Sequence, residues 1–364
     1  MTNRERFRAA LAFEPTDRPC HVEWGFWEET WERWRGEGLP DTVSYPAFEN
    51  LSEGEDLFAH LDVIRFGYLL PNQYLYPQPP CQVLEEDERF RLERNEKGVL
   101  VRINKENRTI PQYLDYPVKN RKDFLQLRER LQPQAERRYP PDWPELARRM
   151  REQQHTVVCT HMDGFFAYPR ELLGLESFLV MLYDDPELIR MMIRQRVRFY
   201  LEVYERAIRD TAPDFAFLWE DMCYRNGPLL SPEMFREFLL PAYQELTSFV
   251  RGLGVRNVIV DSDGDVTALL PLWLEAGVTG VLPFEVRAGM DVVRIGEQFP
   301  GLQILGGIDK NEFYDGTEAI DRELERVLPA MLRRGGYCVA LDHWVPPQIS
   351  LENYRYFVQK VRRF

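Results

Sequence analysis

A chain of 364 residues with 44% hydrophobic residues is long enough for one large globular domain and is not expected to be disordered. Its net charge of −13, without a patch rich in lysine or arginine, argues against nucleic acid or an anionic membrane as a partner, because both require a basic surface. No apolar run approaches the roughly 20 residues that span a bilayer.

The N-terminal third begins with residues 2–13, which are predicted to form an amphipathic helix and lack the apolar core of a signal peptide. The first predicted strand is 20–26, and an aromatic, acidic helix follows it. The second predicted strand is 63–70. The five cysteines are scattered without a C-x-x-C pair, which indicates a reducing compartment and a cytoplasmic protein.

Residues 71–155 interrupt the alternation of strands and helices. A proline-rich segment comes first, followed by a pattern typical of two strands joined by a turn at 95–98. Two stretches with helical spacing, 120–131 and 142–153, complete the segment. We expect an insertion between the second and third strands that covers one side of the main fold.

From residue 156 onward the chain repeats one unit, an apolar run that ends on an ionisable side chain and leads into a helical pattern. The runs are 156–163, 215–221, 257–263, 278–285, 302–309 and 336–343. Such alternation predicts parallel β/α units. With the two earlier strands it predicts an α/β fold, a (β/α)8 TIM barrel, as a single domain over 1–364. The active site of such a barrel forms at the C-terminal ends of its strands, so the polar endings are expected to meet there.

The stretch N-V-I-V-D-S-D-G-D at 257–265 ends a predicted strand with two carboxylates, Asp261 and Asp263. Side chains two residues apart share one face of a strand, so both point the same way if the strand persists that far. Their mutual repulsion requires a metal, a cation, a proton or water to offset it. The alternative is that one caps the next helix while the other is solvated.

Two histidines stand at predicted strand ends, and each has a carboxylate close by in the sequence. His161 lies near Asp163, and His343 follows Asp342. A neighbouring carboxylate fixes a histidine tautomer or raises its pKa, as acid/base chemistry requires. Both histidines are therefore candidates, and a satisfied structural histidine is the alternative.

Further side chains are candidates for the same site at the C-terminal ends of the strands. Glu220 and Asp221 are adjacent, so only one can face the barrel axis; either choice is defensible, and Glu220 is chosen as a catalytic candidate. Arg170 is a cation that can hold a substrate carboxylate, although a local glutamate is an equal alternative partner. Asp309, in G-G-I-D-K, and Glu285 are candidates for substrate binding; for Asp309 a structural pair with the next lysine is equally consistent.

Six segments spread along the chain carry a family resemblance: R-F-R-A-A-L-A-F-E-P-T-D-R-P, F-F-A-Y-P-R-E-L-L-G-L-E, W-E-D-M-C-Y-R-N-G-P-L-L-S-P-E-M-F-R-E-F-L-L-P, V-D-S-D-G-D, G-G-I-D-K and D-H-W-V-P-P. Together they resemble the uroporphyrinogen decarboxylase superfamily. The resemblance implies a (β/α)8 barrel, from a group that includes decarboxylases and methyltransferases acting with cobalamin. It also implies a homodimer.

The chain departs from the family pattern at two places that bear on function. Decarboxylases of the family use an arginine-rich segment after the first strand for a substrate with eight carboxylates, whereas this chain has E-W-G-F-W-E-E-T-W-E-R-W there, which disfavours porphyrinogen decarboxylation. In the cobalamin-related methyltransferases, a His-x-Cys motif on the fifth strand supplies zinc ligands. Here Asp261 and Asp263 replace it, so the resemblance, with His343, implies an oxygen-rich divalent-metal site and puts zinc in doubt.

The leading hypothesis is an enzyme that moves a methyl group between a small methylated compound and a corrinoid, which is either free or carried on a partner protein. The catalytic candidates are His343, Asp261, Asp263 and Glu220, and the first three are also the candidate metal ligands. The substrate-binding candidates are His161, Asp163, Arg170, Asp309 and Glu285. The alternatives are a decarboxylase acting on a porphyrinogen or another organic acid, and a non-catalytic ligand-binding module.

Overall fold

The computed structural model describes residues 1–45, 56–69, 71–106 and 110–364. The strands in chain order are β1 (Arg65–Leu69), β2 (Gln82–Glu86), β3 (Phe90–Arg94), β4 (Leu100–Asn104), β5 (Gln112–Asp115), β6 (Thr156–Asp163), β7 (Phe215–Trp219), β8 (Cys223–Tyr224), β9 (Gly227–Pro228), β10 (Val258–Asp261), β11 (Gly280–Leu282), β12 (Gln303–Leu305) and β13 (Tyr337–Cys338). Residue 70, the end of the predicted second strand, lies outside the described residues.

The α-helices in chain order are α1 (Asn3–Leu11), α2 (Glu28–Gly36), α3 (Leu57–Leu61), α4 (Arg121–Leu127), α5 (Trp143–Glu152), α6 (Ala167–Leu173), α7 (Leu175–Asp184), α8 (Pro186–Thr211), α9 (Pro232–Met234), α10 (Leu240–Gly252), α11 (Leu270–Glu275), α12 (Val292–Gln298), α13 (Thr317–Arg334) and α14 (Leu351–Val361). The longest described helix is α8, whose buried face is largely apolar. Within the described ranges, no helix has the combined length and apolar character that crossing a bilayer requires.

A curled parallel sheet forms the centre of the fold. Within the described residues it has seven strands, in the order β1, β6, β7, β10, β11, β12 and β13. Its strands follow one another in space as they do along the chain, with helices between most of them, as successive β/α units require. The parallel α/β fold predicted from the alternating pattern is therefore confirmed.

The N-terminal segment bridges the two edges of this sheet. The amide of Val22 donates to the Val339 carbonyl oxygen next to β13 (2.9 Å), and the amide of Glu23 donates to the Ile64 carbonyl oxygen next to β1 (3.1 Å). Residues 20–26, predicted as a regular first strand, make isolated parallel bridges instead. These bridges hold the curled sheet together at its edges.

A second sheet lies between β1 and β6 in the sequence. It is antiparallel, with the described strands in the order β2, β3, β4 and β5. The predicted hairpin corresponds to β3 and β4, which pair from Phe90 opposite Asn104 to Arg94 opposite Leu100. The flanking strands β2 and β5 were not expected, because exposed residues dominate both of them and they show no apolar alternation.

The helix α1 packs across the N-terminal end of the central sheet. Thr2 and Glu5 form a capping box at its start, which satisfies backbone amides that the first turn leaves unpaired. Phe7 is buried against Phe66 on β1 and Phe215 on β7, the strands on either side of β6. The C-terminal ends of the strands remain open for a site.

Candidate functional site

A cavity of about 350 Å³ lies at the C-terminal ends of the central strands. This volume is near the lower end of the roughly 300–1,000 Å³ range of small-molecule sites. Its aromatic wall consists of Trp24, Trp27, Tyr68, Tyr74, Phe217, Trp219 and Trp344. Its ionisable wall consists of His161, Asp163, Asp221, Asp261, Asp263 and His343. Among the described residues that line this cavity, none is a lysine or an arginine.

Four residues of the cavity wall and Glu285, which lines an adjoining cavity, form two overlapping groups. In the first, ligand atoms of Asp221, Asp261 and Asp263 lie within 4.8 Å of one another. In the second, the same holds for Asp263, Glu285 and His343. The predicted trio of Asp261, Asp263 and His343 thus reaches one cavity but is divided between two groups that share Asp263. We refer to these five residues as the acidic cluster.

The chain after β10 is shaped to present the carboxylates. The Ser262 amide continues the sheet by donating to the Leu282 carbonyl oxygen (3.1 Å), and the Gly264 amide donates to Glu285 Oε2 (2.9 Å). Gly264 has a φ of +80°, and a Cβ there would lie 2.7 Å from the Tyr224 carbonyl oxygen. Only glycine fits this close turn. The turn therefore fixes Asp263 between its two groups of neighbours.

The prediction chose Glu220 over its neighbour Asp221 for the cavity, but the structure places Asp221 there. Asp221 lines the cavity, whereas the Glu220 side chain is completely buried away from solvent. The backbone of Asp221 has a φ of +44°, a left-handed conformation in which strand alternation no longer determines which way a side chain points. Asp221, not Glu220, therefore joins the acidic cluster.

Glu220 instead holds the turn that precedes α6. Its carboxylate accepts hydrogen bonds from the amides of Phe165 (2.8 Å), Phe166 (2.9 Å) and Ala167 (2.9 Å), and from the Tyr243 hydroxyl. Burial raises the pKa of Glu220 to about 7, while these hydrogen bonds oppose the rise. A Cβ at position 164, which is a glycine, would lie 1.9 Å from the carboxyl carbon. This packing assigns Glu220 a structural role.

His161 and Asp163 face the cavity from β6, and each has one buried polar atom that makes no hydrogen bond. His161 Nδ1 and Asp163 Oδ1 have no hydrogen-bond partner among the described residues. Burial lowers the pKa of His161 to about 4, so its imidazole is neutral at pH 7. Arg196 Nη2 donates to Asp163 Oδ2 (3.2 Å) and keeps that carboxylate paired from behind. Tyr200 donates its hydroxyl to the Asp163 carbonyl oxygen.

Arg196 was missed by sequence reasoning, although its position carries a signal. It is 2% exposed and lies on the buried face of α8 with Met192, Ile193 and Tyr200. A charged residue on an otherwise apolar helix face is costly unless it is paired. Such a residue indicates a buried carboxylate partner, here Asp163.

The two remaining candidates lie outside the cavity wall. Arg170 Nη1 donates to the Asp221 carbonyl oxygen (2.6 Å) and lines a neighbouring cavity of about 590 Å³, which shares Trp219, Asp221 and Asp263 with the first. Asp309 accepts from the Asn311 amide (2.9 Å) and pairs with Arg287 (3.1 Å). Asp309 therefore caps a turn and does not reach the cavity.

Burial and mutual repulsion raise the pKa values of several cluster carboxyls. Burial, with the Asp263 charge next in size, raises the pKa of Asp221 to about 6. Burial also raises the pKa of Asp261 well above its usual range, and Asp221 and Asp263 add to it. Burial lowers the pKa of His343, but its hydrogen bond to Asp263 and the charge of that residue outweigh this effect and raise it. The cluster therefore holds protons that a cation can replace.

Residues 96–364 match the family model described as uroporphyrinogen decarboxylase (URO-D). The chain belongs to the uroporphyrinogen decarboxylase family. Among curated relatives, uroporphyrinogen decarboxylase from Geobacter metallireducens is 27% identical over 187 residues, which is 50% of this chain and 51% of the relative. The Syntrophotalea carbinolica enzyme is 24% identical over 211 residues, 57% of each chain. The chain thus matches these relatives over about half their length. The predicted resemblance is confirmed.

A solved structure shares the fold of this family member along its entire length. It is described as a methyltransferase from Methanosarcina mazei, with a TM-score of 0.66 and 17% identity, over 100% of this chain and 99% of that one. At this level of identity the likeness concerns the fold. The chemistry of this family member therefore depends on its own side chains and not on the shared fold.

The donor set of the cavity does not fit the thiolate zinc site of the cobalamin-related methyltransferases. Of the described residues that line it, none is a cysteine. Carboxylate oxygens predominate in both groups of the acidic cluster, with His343 as the single nitrogen donor. Oxygen donors suit hard divalent cations such as Mg²⁺ and Mn²⁺. The residues present fit a hard cation and not a Cys-ligated zinc ion.

Replacing Asp221 with asparagine is expected to stabilise the fold at alkaline pH. The folded protein holds the Asp221 proton up to about pH 6, whereas the unfolded chain releases it near about pH 4. Stability from this group is therefore lost as pH rises between these values, and the variant escapes that loss. Asparagine also tolerates the left-handed backbone.

The measurement is urea unfolding with a chelator present, at about pH 4 and about pH 8. The variant should exceed the parent at the higher pH and match it at the lower one. Asp265→Asn is the control, since Asp265 accepts from the Thr267 amide (2.9 Å) and is absent from the cavity wall. A constant difference between Asp221→Asn and the parent at both pH values would contradict the prediction.

Proposed function

We propose that the protein is a methyltransferase of the uroporphyrinogen decarboxylase family that moves a methyl group between a small methylated compound and a corrinoid. The corrinoid is free or carried on a partner protein. The observation that carries the proposal is the acidic cluster in a small cavity whose described wall has no lysine or arginine. A porphyrinogen with eight carboxylates would meet like charges there. The proposal extends to this chain the activity for which its structural neighbour is named. It also includes residues 20–26 as the first of eight strands in a closed barrel.

The roles follow from the position of each side chain. Asp263, Glu285 and His343 would hold a hard divalent cation, which supplies Lewis-acid stabilisation when bound. Asp221 and Asp261 face the cavity and either deliver a proton to the atom that loses the methyl group or balance a positive charge on it. His161 is neutral at pH 7 because its pKa is about 4, so it orients the substrate by hydrogen bonding.

A decarboxylase acting on an organic acid is the second candidate, and one observation favours it. Carboxyls with raised pKa values, Asp221 and Asp261, are sources of the proton that a carbanion takes up after CO2 leaves. Arg170 lines the neighbouring cavity beside Asp221, where it can hold a second carboxylate of the substrate. No metal is required for this reaction.

The test follows the absorbance of methylcobalamin during incubation with the protein and a thiol acceptor. The proposal expects demethylation that falls by about 10²–10⁴-fold in the Asp261→Ala, Asp263→Ala double variant. Elemental mass spectrometry on protein purified without chelators should find a stoichiometric metal that the double variant lacks. Tight porphyrin binding, seen as tryptophan quenching without any methyl transfer, would favour the decarboxylase. Absence of turnover with both substrate classes would favour a binding module.

A further inference from the structure

The wall of the cavity combines two features that recognise the same kind of ligand. Indole rings of Trp24, Trp27 and Trp219 line it together with phenol and phenyl rings. The faces of aromatic rings attract cations, most strongly when the cation is removed from water. Carboxylates occupy the same wall, so the aromatic surface and the charge select for a positive, weakly hydrated group.

The protein neutralises the negative charge of this wall only in part: Arg196 pairs with Asp163, and His343 lies 3.6 Å from Asp263. The charged groups that act most strongly on Asp261 are Asp221, Asp263 and Glu285, all of them carboxylates. Arg170 approaches Asp221 through its carbonyl oxygen and stacks 4.9 Å from the Trp219 ring, outside the cavity wall. Buried carboxylates without a cation are costly to maintain and retain protons instead. Asp221 and Asp261, which the proposed metal does not use, can therefore exchange a proton for a cationic ligand.

Two buried polar atoms provide an independent sign that a ligand belongs here. Trp24 and Asp163 line the cavity and are 7% and 1% exposed. Among the described residues, neither Trp24 Nε1 nor Asp163 Oδ1 has a hydrogen-bond partner. Buried polar groups in folded proteins are almost always paired. One free donor and one free acceptor on the same wall indicate a ligand that carries a polar group besides its charge.

We propose that the methyl donor of this enzyme is a methylated onium compound, a quaternary ammonium or a sulfonium with a polar substituent, bound in this cavity. This inference rests on the proposed methyl transfer. In the reaction, the N–CH3 or S–CH3 bond breaks and its electron pair stays on nitrogen or sulfur. The new C–Co bond uses the electron pair of a cob(I)alamin-type corrinoid, which becomes methylcob(III)alamin. The immediate product is a sulfide or a tertiary amine with its lone pair restored; the sulfide leaves uncharged, and the amine takes up a proton.

The experiment compares choline with 3,3-dimethyl-1-butanol, its uncharged carbon isostere, by isothermal titration calorimetry on chelator-treated protein. The expected result is that choline binds at least about tenfold more tightly, a difference of about 1.4 kcal/mol. Asp261→Asn should abolish this preference. Asp265→Asn, with the same chemical change outside the cavity wall, should retain it. Unfolding midpoints establish that both variants are folded.

The outcomes separate this inference from the proposed function, because the binding measurement contains no corrinoid. Equal affinity for choline and its isostere would overturn the onium assignment, even if methylcobalamin is demethylated. A preference for choline that Asp261→Asn leaves unchanged would also overturn it, since the charge would then act elsewhere. Selective binding without methyl transfer from choline or trimethylsulfonium to cob(I)alamin would overturn the donor role. Methylcobalamin demethylation is the separate test of methyl transfer itself.

Discussion

Replacing Asp263 with asparagine is expected to lower kcat/KM for methyl transfer by about 10²–10⁴-fold. Asp263 is the one carboxylate shared by both groups of the acidic cluster among the described residues. Its Oδ2 lies 3.6 Å from His343 Nε2 and supports the raised pKa of that imidazole. Asparagine keeps the volume but removes the charge, so the proposed cation loses an anionic oxygen ligand and His343 loses its anionic neighbour. The measurement is the rate of corrinoid absorbance change under single-turnover conditions.

The matched control for this change is Asp265→Asn, two residues further along the chain. Its side chain caps the following turn, which asparagine can also do. We expect its kcat/KM to stay within about twofold of the parent. The pH profile adds a second readout: without the Asp263 charge, His343 releases its proton and becomes able to bind the cation at lower pH, so that limb of the profile should move to lower pH. Unchanged turnover in Asp263→Asn would remove Asp263 from the reaction.

Replacing Glu220 with alanine is expected to lower the free energy of unfolding by about 3–5 kcal/mol. The change leaves three buried amides and the Tyr243 hydroxyl without their acceptor. Each unpaired buried donor costs about 1–3 kcal/mol, and the removed volume adds a cavity. Urea unfolding at neutral pH measures the difference.

Glu237→Ala is the control for the Glu220 variant. Glu237 is largely exposed and pairs at the surface with Arg190, so its loss should change stability by less than about 0.5 kcal/mol. The pair of variants also separates a structural from a catalytic role. If Glu220→Ala unfolds like the parent but loses turnover, Glu220 belongs to the chemistry after all.

The sequence predicted the site residues that stand at the ends of the repeated strands. Each β/α unit places its last polar residues at one end of the sheet, so His161, Asp163, Asp261, Asp263 and His343 reach one cavity. This outcome follows from the direction of the strands and needs no knowledge of the loops. The parallel α/β fold was predictable for the same reason.

The failures of prediction lie where the chain leaves regular geometry. Side-chain alternation along a strand cannot choose between Glu220 and Asp221, because Asp221 adopts a left-handed backbone. Similarly, Gly306 and Gly307 have φ values of +103° and +78° and turn the chain before Asp309, which then caps a turn. Such turns depend on contacts between distant segments. A pattern read along one chain does not contain these contacts.

The bridges made by residues 20–23 set a limit on how the protein can be shortened. The matched family region begins at residue 96, yet β1 and the residues that join it to the neighbourhood of β13 lie before that point. A fragment cut to the matched region would expose the backbone of β6 and β13 as open strand edges, which are templates for association between chains. Family boundaries drawn from similarity therefore do not coincide with the smallest unit that can fold, and any dissection of this protein must keep the residues that precede residue 96.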